Sequence, residues 1–314
     1  MRKLFPIMLL LFSCITDKPD RPLEQAVVIF DKAKLLTSTA LVTTSLRELK
    51  LGEEVEILER QTVNQREYVR VRYKPVGEDF LEGWLEGRQV LSKRLLSESR
   101  KLAEESSSIQ VQARGRTKDK LKLRLSPSRD SEVLTLLPAS TEVDILERVR
   151  TERIVDTGER RFDRWYKVRL GNEYLTRAGW LYADSVEIKA PEAIAALPGG
   201  SRRIAAWVPF GSVIDDQTGR EEYHYIILDK FTFSRDEEID FDRLYVVIWD
   251  NKIHGYGSIY VESGLRGIYP VDFNKQKGIL VLKLIDKKTS QVVPVTYLLA
   301  KDPKTDRYYV KKIK

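Results

Sequence analysis

Two histidines, His224 and His254, and one cysteine, Cys14, are the whole supply of imidazole and thiol in 314 residues. A thiolate nucleophile needs a base beside it, and a catalytic zinc needs three protein ligands, commonly His. Cys14 lies outside every predicted domain, so a cysteine nucleophile, a Cys-based zinc site and a haem motif are excluded from the folded body. The histidines fall in separate predicted strands or at their edges, without a His-x-x-Glu-His grouping. Asp229 or Asp250 could add an oxygen ligand if a sheet brought the histidines together. Isolated histidines on strands more often pack or face solvent, so the expectation is no metal and no cofactor. Acids are paired at Asp215-Asp216, Glu221-Glu222 and Glu237-Glu238. Acid–base catalysis needs two carboxyls facing across a cleft, whereas neighbours on a strand point to opposite faces. Gly211-Ser212 and Gly255-Tyr-Gly257 lack the strand–turn–helix setting of a phosphate loop or nucleophile elbow and read as turns or bulges. No catalytic residue emerges, and the chain is expected not to be an enzyme.

The elements that must position these groups repeat. Val55-Glu-Ile-Leu-Glu-Arg60 returns as Val143-Asp-Ile-Leu-Glu-Arg148. Tyr68-Val-Arg-Val-Arg72 corresponds to Trp165-Tyr-Lys-Val-Arg169, Gly83-Trp84-Leu85 to Gly179-Trp180-Leu181, and Val90 to Val186. The shared order predicts a duplicated domain, its second copy carrying a longer insert from Val149 to Arg164. Apolar residues alternate with charged ones in each copy, the period of half-buried strands. Short strands in so few residues predict a small barrel, which removes exposed edges. Between the copies, Leu91, Leu95 and Leu102 share a helical face, followed by Ser106-Ser107-Ser108, so residues 93–108 read as a short linker helix. Pro, Gly and Ala content marks 190–200 as a second boundary. Residues 201–314 are strand-rich, with short connections that predict an antiparallel meander forming a sandwich or barrel, Pro294 at an edge or bulge.

The amino terminus has Arg2 and Lys3, then an apolar run from Leu4 to Phe12, the pattern of a signal peptide over residues 1–13. The run is too short for a membrane-spanning helix, which needs ~20 residues. Leu11-Phe12-Ser13-Cys14 resembles a bacterial lipobox, with Phe12 where a small residue is usual. That resemblance implies lipid on Cys14, a tether over 14–25, and a membrane partner reached through the anchor. The formal charge of +7 is interleaved along the chain rather than clustered, which speaks against nucleic-acid binding.

Leu121-Lys-Leu123-Arg124-Leu-Ser-Pro127-Ser128, Val143-Asp-Ile-Leu146, Trp165-Tyr-Lys-Val168 and Gly179-Trp180-Leu181 together resemble a bacterial SH3 (SH3b) domain over 109–189. Residues 26–92 are a degenerate copy, with Leu36-Thr37-Ser38-Thr39 in place of Arg-x-x-Pro. Such domains accompany wall-cutting enzymes, but a cysteine peptidase or L,D-transpeptidase would need a thiol in the folded body. The resemblance implies a lipid-anchored protein of the bacterial cell envelope, periplasmic or surface-exposed, that binds peptidoglycan or an envelope protein. Arg124, Trp165, Tyr166, Trp180, Tyr182, Arg160 and Arg161 are the candidate ligand residues, since aromatic faces stack on sugars and Arg pairs with carboxylates. The competing reading buries Trp165 and Trp180 in the barrel core and makes the insert a solvated hairpin. Two alternatives remain: an interaction scaffold or adhesin using the last domain, and an enzyme with a site in 201–314.

Overall fold

The computed structural model describes residues 21–154 and 156–313. Cys14 and the signal segment lie outside the described residues. Among the described residues the fold is mainly β, with three seven-stranded antiparallel sheets and two α-helices, and the chain divides into compact units at Lys93/Arg94.

The first sheet comprises β1 (Glu24–Val28), β2 (Ala33–Leu36), β3 (Ser45–Leu49), β4 (Glu54–Val63), β5 (Arg66–Tyr73), β6 (Leu81–Glu86) and β7 (Val90–Ser92), in the order β3-β2-β6-β5-β4-β1-β7. All seven strands feed one core that includes Val28, Leu35, Leu49, Ile57, Val71, Leu85 and Val90, as expected of a sheet wrapped into a barrel.

The second sheet comprises β8 (Ala113–Thr117), β9 (Leu121–Arg124), β10 (Val133–Leu137), β11 (Glu142–Ile154), β12 (Arg160–Arg169), β13 (Ala178–Tyr182) and β14 (Val186–Ile188). Its order, β10-β9-β13-β12-β11-β8-β14, reproduces that of the first, strand for strand. The repeated Ile-Leu-Glu has the same job in both. The pairing register slips between Ile57 and Glu59, and again between Ile145 and Glu147. Leu58 and Leu146 are thus bulged residues, and both are buried beside an equally buried isoleucine. A bulge puts one extra residue into a strand, so period-two alternation breaks there.

The repeated Gly-Trp-Leu also has a steric cause. A Cβ on Gly179 would sit 2.6 Å from Leu123 Cγ and 2.9 Å from the Arg124 carbonyl oxygen. One on Gly83 would sit 2.8 Å from Leu35 Cγ and 2.7 Å from the Leu36 carbonyl oxygen. Strands β13 and β9 approach too closely for any side chain. Gly179→Ala should lower the unfolding free energy by about 1–3 kcal/mol, the usual penalty for overpacking a core, measured by chemical denaturation. An unchanged midpoint would mean that β9 shifts freely.

Helix α1 (Lys93–Ser106) precedes β8, and the Arg169 guanidinium donates to the carbonyls of Ser106 (2.8 Å) and Ile109 (2.9 Å) at its C-terminal end. Cations there satisfy orphan carbonyls and complement the helix dipole. A one-turn helix, α2 (Glu192–Ala195), lies in the segment whose Pro, Gly and Ala content suggested a boundary. Its Ile194 is wholly buried with Ile204, Tyr225, Ile227 and Val247.

The third sheet is a simple meander of β15 (Arg202–Ile214), β16 (Glu221–Phe231), β17 (Phe241–Asp250), β18 (Gly255–Asn274), β19 (Ile279–Ile285), β20 (Val292–Lys301) and β21 (Tyr308–Lys312). Three of its hairpins use one turn, Asp-x-x-Thr-x. The Asp backbone brackets the loop at 215, 286 and 302, and the closing residue adopts positive φ at Gly219, Ser290 and Asp306. The Asp side chain caps amides inside each turn, which fixes the register of the flanking strands. Pro294 pairs with Lys283 on β19 but lies beyond the stretch of β20 that pairs with β21, so its missing N–H faces no ladder. Gly255 and Gly257 are strand residues of β18, paired with Asp250 and Ile248, rather than turn residues. Gly211 lies at a bulge.

The second barrel and the meander share one core. Leu123, Ile145 and Val186 belong to the same buried cluster as Ile226, Leu244, Val271 and Tyr297. Gln112, with no exposed surface, acts as a substitute peptide between them. It accepts from the Val271 amide (2.7 Å) and donates to the Val271 carbonyl (3.1 Å).

Candidate functional site

Adjacent residues on a strand face opposite ways, and β12 shows the result. Trp165 is buried at 2 % exposure on the face opposite Val168, its indole N–H donating to Thr151 Oγ1 at 3.0 Å and its ring meeting Tyr182 edge to face at 5.7 Å. Tyr166 looks the other way, toward the meander, and burial raises its phenol pKa. Trp180, buried, carries the Lys167 ammonium 5.9 Å above its ring. Arg124 donates to the Ser131 carbonyl at 2.6 Å. The seven candidate ligand residues therefore do not form one surface.

What the fold does assemble is a face around Tyr182. The Arg129 guanidinium lies 5.0 Å from the Tyr182 ring centroid and makes a two-pronged contact with Asp163, at 2.7 and 3.0 Å. Asp163 is nearly inaccessible and also accepts from Arg153 at 3.2 Å; its pKa is lowered, first by the Arg129 hydrogen bond. Beyond it, the insert is a regular hairpin paired out to Ile154 and Arg160. Arg150 stacks 3.6 Å from the Phe162 ring centroid, Arg160 pairs with Glu152 and Arg161 with Glu159. Arg160, Arg161 and Phe162 are exposed. Arg129 escaped the sequence reading because it lies in the Ser-Pro-Ser loop, far from the insert it grips.

The histidines are apart. His224 is buried on β16, where its Nδ1 accepts from the Trp249 amide at 3.1 Å, and burial lowers its pKa. His254 Nδ1 lies 2.8 Å from Asp215 and 3.6 Å from Asp216. Ligand atoms of these three residues fall within 4.8 Å of one another, a grouping that the choice of Asp229 or Asp250 as partner did not foresee. Both Asp215 oxygens are already engaged, one by His254 and one by Thr218. The Asp215 carboxyl is held down at about 2, first by the Thr218 hydroxyl and then by His254. Its folded pKa lies below its unfolded one, so its stabilising contribution is complete above about pH 4 and fades as pH falls through 2. Asp215→Asn should therefore flatten the loss of stability between those values; an identical acid-unfolding curve would contradict this. Glu221 bonds Ser212 and Tyr223, and Glu238 pairs with Arg266, so neither faces another carboxyl across a cleft.

Among the described residues no helix is long and apolar enough to cross a membrane. No curated protein matches the chain. Matched solved structures include NlpC2 from Trichomonas vaginalis, 12% identical, covering 95% of this chain and 98% of that one with a TM-score of 0.18. NlpC1 from the same organism is 13% identical over 99% and 98%, with a TM-score of 0.18. An NlpC/P60 family protein from Bacillus cereus is 11% identical over 86% and 98%, with a TM-score of 0.20. These matches stand against the expectation that the chain is not an enzyme, and it is not carried further. At such TM-scores the matches transfer no mechanism to these residues. The bacterial SH3 domain family model matches residues 119–187 and does not extend to the first barrel; the second barrel is a bacterial SH3 domain.

Proposed function

We propose that this chain is a lipid-anchored protein of the bacterial cell envelope, acylated at Cys14, that holds peptidoglycan through its bacterial SH3 domain. The SH3 match at 119–187 carries this reading, because domains of this family generally bind peptidoglycan or other envelope components. The surface best suited to the contact is the Tyr182–Arg129 face with the hairpin tip at Arg160, Arg161 and Phe162. Tyr182 and Phe162 offer flat apolar faces to a sugar or stem peptide, and the arginines offer paired donors to its carboxylates.

Purified protein should co-sediment with peptidoglycan sacculi at physiological salt. Phe162→Ser combined with Arg161→Ala should weaken this without unfolding the domain, because both side chains are exposed. Sedimentation no greater than that of an unrelated protein would remove the function. Fatty-acid labelling of wild type against Cys14→Ala tests the anchor, and equal label in both would refute it.

A further inference from the structure

A cavity of about 680 Å³ lies between the bacterial SH3 domain and the meander, in the size range of small-molecule sites. Arg203 on β15 and Lys230 on β16 stand directly opposite each other in the ladder and both line it. Opposed residues hold their Cβ atoms about 5 Å apart, and like charges there are destabilising. Neither makes an ion pair with a carboxylate among the described residues, although Asp240 and Asp236 act on Lys230 from a distance. Lys230 is 4 % exposed, and its ammonium donates only to the backbone carbonyls of Asp236 and Ile239. Burial and repulsion from Arg148 and Arg203 lower its pKa. The Arg203 side chain is exposed and makes no hydrogen bond or ion pair with a described residue.

The opposite wall comes from the SH3 domain. Arg148 is held by the buried Asp240 and by the Glu237 carbonyl at 3.1 Å. The Tyr166 hydroxyl, also lining the cavity, has no hydrogen-bond partner among the described residues. Lys118, exposed and near Glu187, adds an ammonium that donates to the Asp184 carbonyl. The acids of the lining are already taken: Asp240 by Arg148, Asp184 by Arg164 and Glu187 by Lys189. Arg203 and Lys230 thus stand side by side with no ion-pair partner among the described residues, and the Tyr166 hydroxyl lines the same cavity. Lys230 alone of these is buried, and a buried charge without an ion-pair partner is costly, so a multiply charged oxyanion reaching it and Arg203 would relieve both burial and repulsion.

We propose that this cleft is a binding site for a phosphate group, gripped by Arg203 and Lys230 from the meander and by Tyr166 from the SH3 domain. It is separate from the Tyr182 face and stands whether or not that face binds wall polymer. Arg supplies a two-pronged donor to phosphate, while Lys supplies a compact charge.

The full chain, titrated with inorganic phosphate at constant ionic strength, should show saturable binding by calorimetry and a rise in Tm that chloride does not reproduce. Arg203→Ala should weaken phosphate binding at least about tenfold. In phosphate-free buffer the same variant should unfold at the same or a higher temperature, because it removes the opposed charge. A merely structural arginine would do the reverse. Flotation with phosphatidylglycerol vesicles separates two sources of the phosphate. Co-flotation that inorganic phosphate and Arg203→Ala both abolish assigns a lipid headgroup, whereas binding without flotation assigns a soluble phosphate; either supports the site. No phosphate-specific rise in Tm, or an equal rise in Arg203→Ala, overturns it.

Discussion

Replacing Trp165 by alanine lowers the unfolding free energy by about 3–5 kcal/mol, the range for removing a buried large aromatic. The side chain is 2 % exposed, and its removal would also orphan the Thr151 hydroxyl and end the edge-to-face contact with Tyr182. Cavity and lost contacts act in the same direction, so the upper half of the range is expected. Trp165→Phe keeps most of the volume and should lose much less. Guanidinium unfolding followed by circular dichroism measures both. A loss below about 1 kcal/mol for the alanine variant would mean that the hairpin base collapses into the space. The consequence for function is practical: a binding defect in Trp165→Ala reports on folding, and exposed Phe162 and Arg161 are the sounder probes.

Asp229→Ala is expected to cost about as much, about 3–5 kcal/mol, for an electrostatic reason. Asp229 has no exposed surface and accepts from Arg202 and from Arg243, the latter through contacts at 2.6, 2.9 and 3.0 Å. Asp242 also holds Arg202, and the Pro198 carbonyl accepts from Arg243 at 3.2 Å. Removing the central carboxylate leaves two mostly buried guanidiniums, Arg202 with Asp242 and Arg243 with the Pro198 carbonyl in place of an acid. Asp229→Asn keeps the shape and loses the charge, so comparing the two variants separates packing from electrostatics. If Asn and wild type unfold together, the cluster is held by geometry alone. The cluster also pins the start of β15 against β16 and β17, which places Arg203 opposite Lys230.

Much of the fold was legible because strand periodicity and turn chemistry are local. The alternation around Val55 and Val143, the matching Gly-Trp-Leu segments and the Asp-x-x-Thr turns each state a backbone geometry within a few residues. Strands β15 and β18 were harder to read. β15 holds Pro209 and Gly211 about its bulge, and β18 runs over twenty residues with five glycines or prolines, Gly255, Gly257, Gly264, Gly267 and Pro270. At Gly267 the glycine marks a close approach, since a Cβ there would fall 1.9 Å from the Phe241 ring, whereas Gly257 and Gly264 have nothing within 4 Å.

From residue types alone came the β class, the internal repeat, the SH3 resemblance and the lack of any thiol beyond Cys14, all properties of composition and near neighbours. The division of Trp165 from Tyr166 between two surfaces came from elsewhere, as did the grip of Arg129 on Asp163 and the meeting of His254 with Asp215. So did the opposition of Arg203 to Lys230. Each of these joins groups far apart in the chain, or depends on which face of a strand another sheet covers. Neither quantity is written in local spacing. They emerge only when the second barrel and the meander bury their apolar faces against each other and leave the charged rims of both to line what lies between.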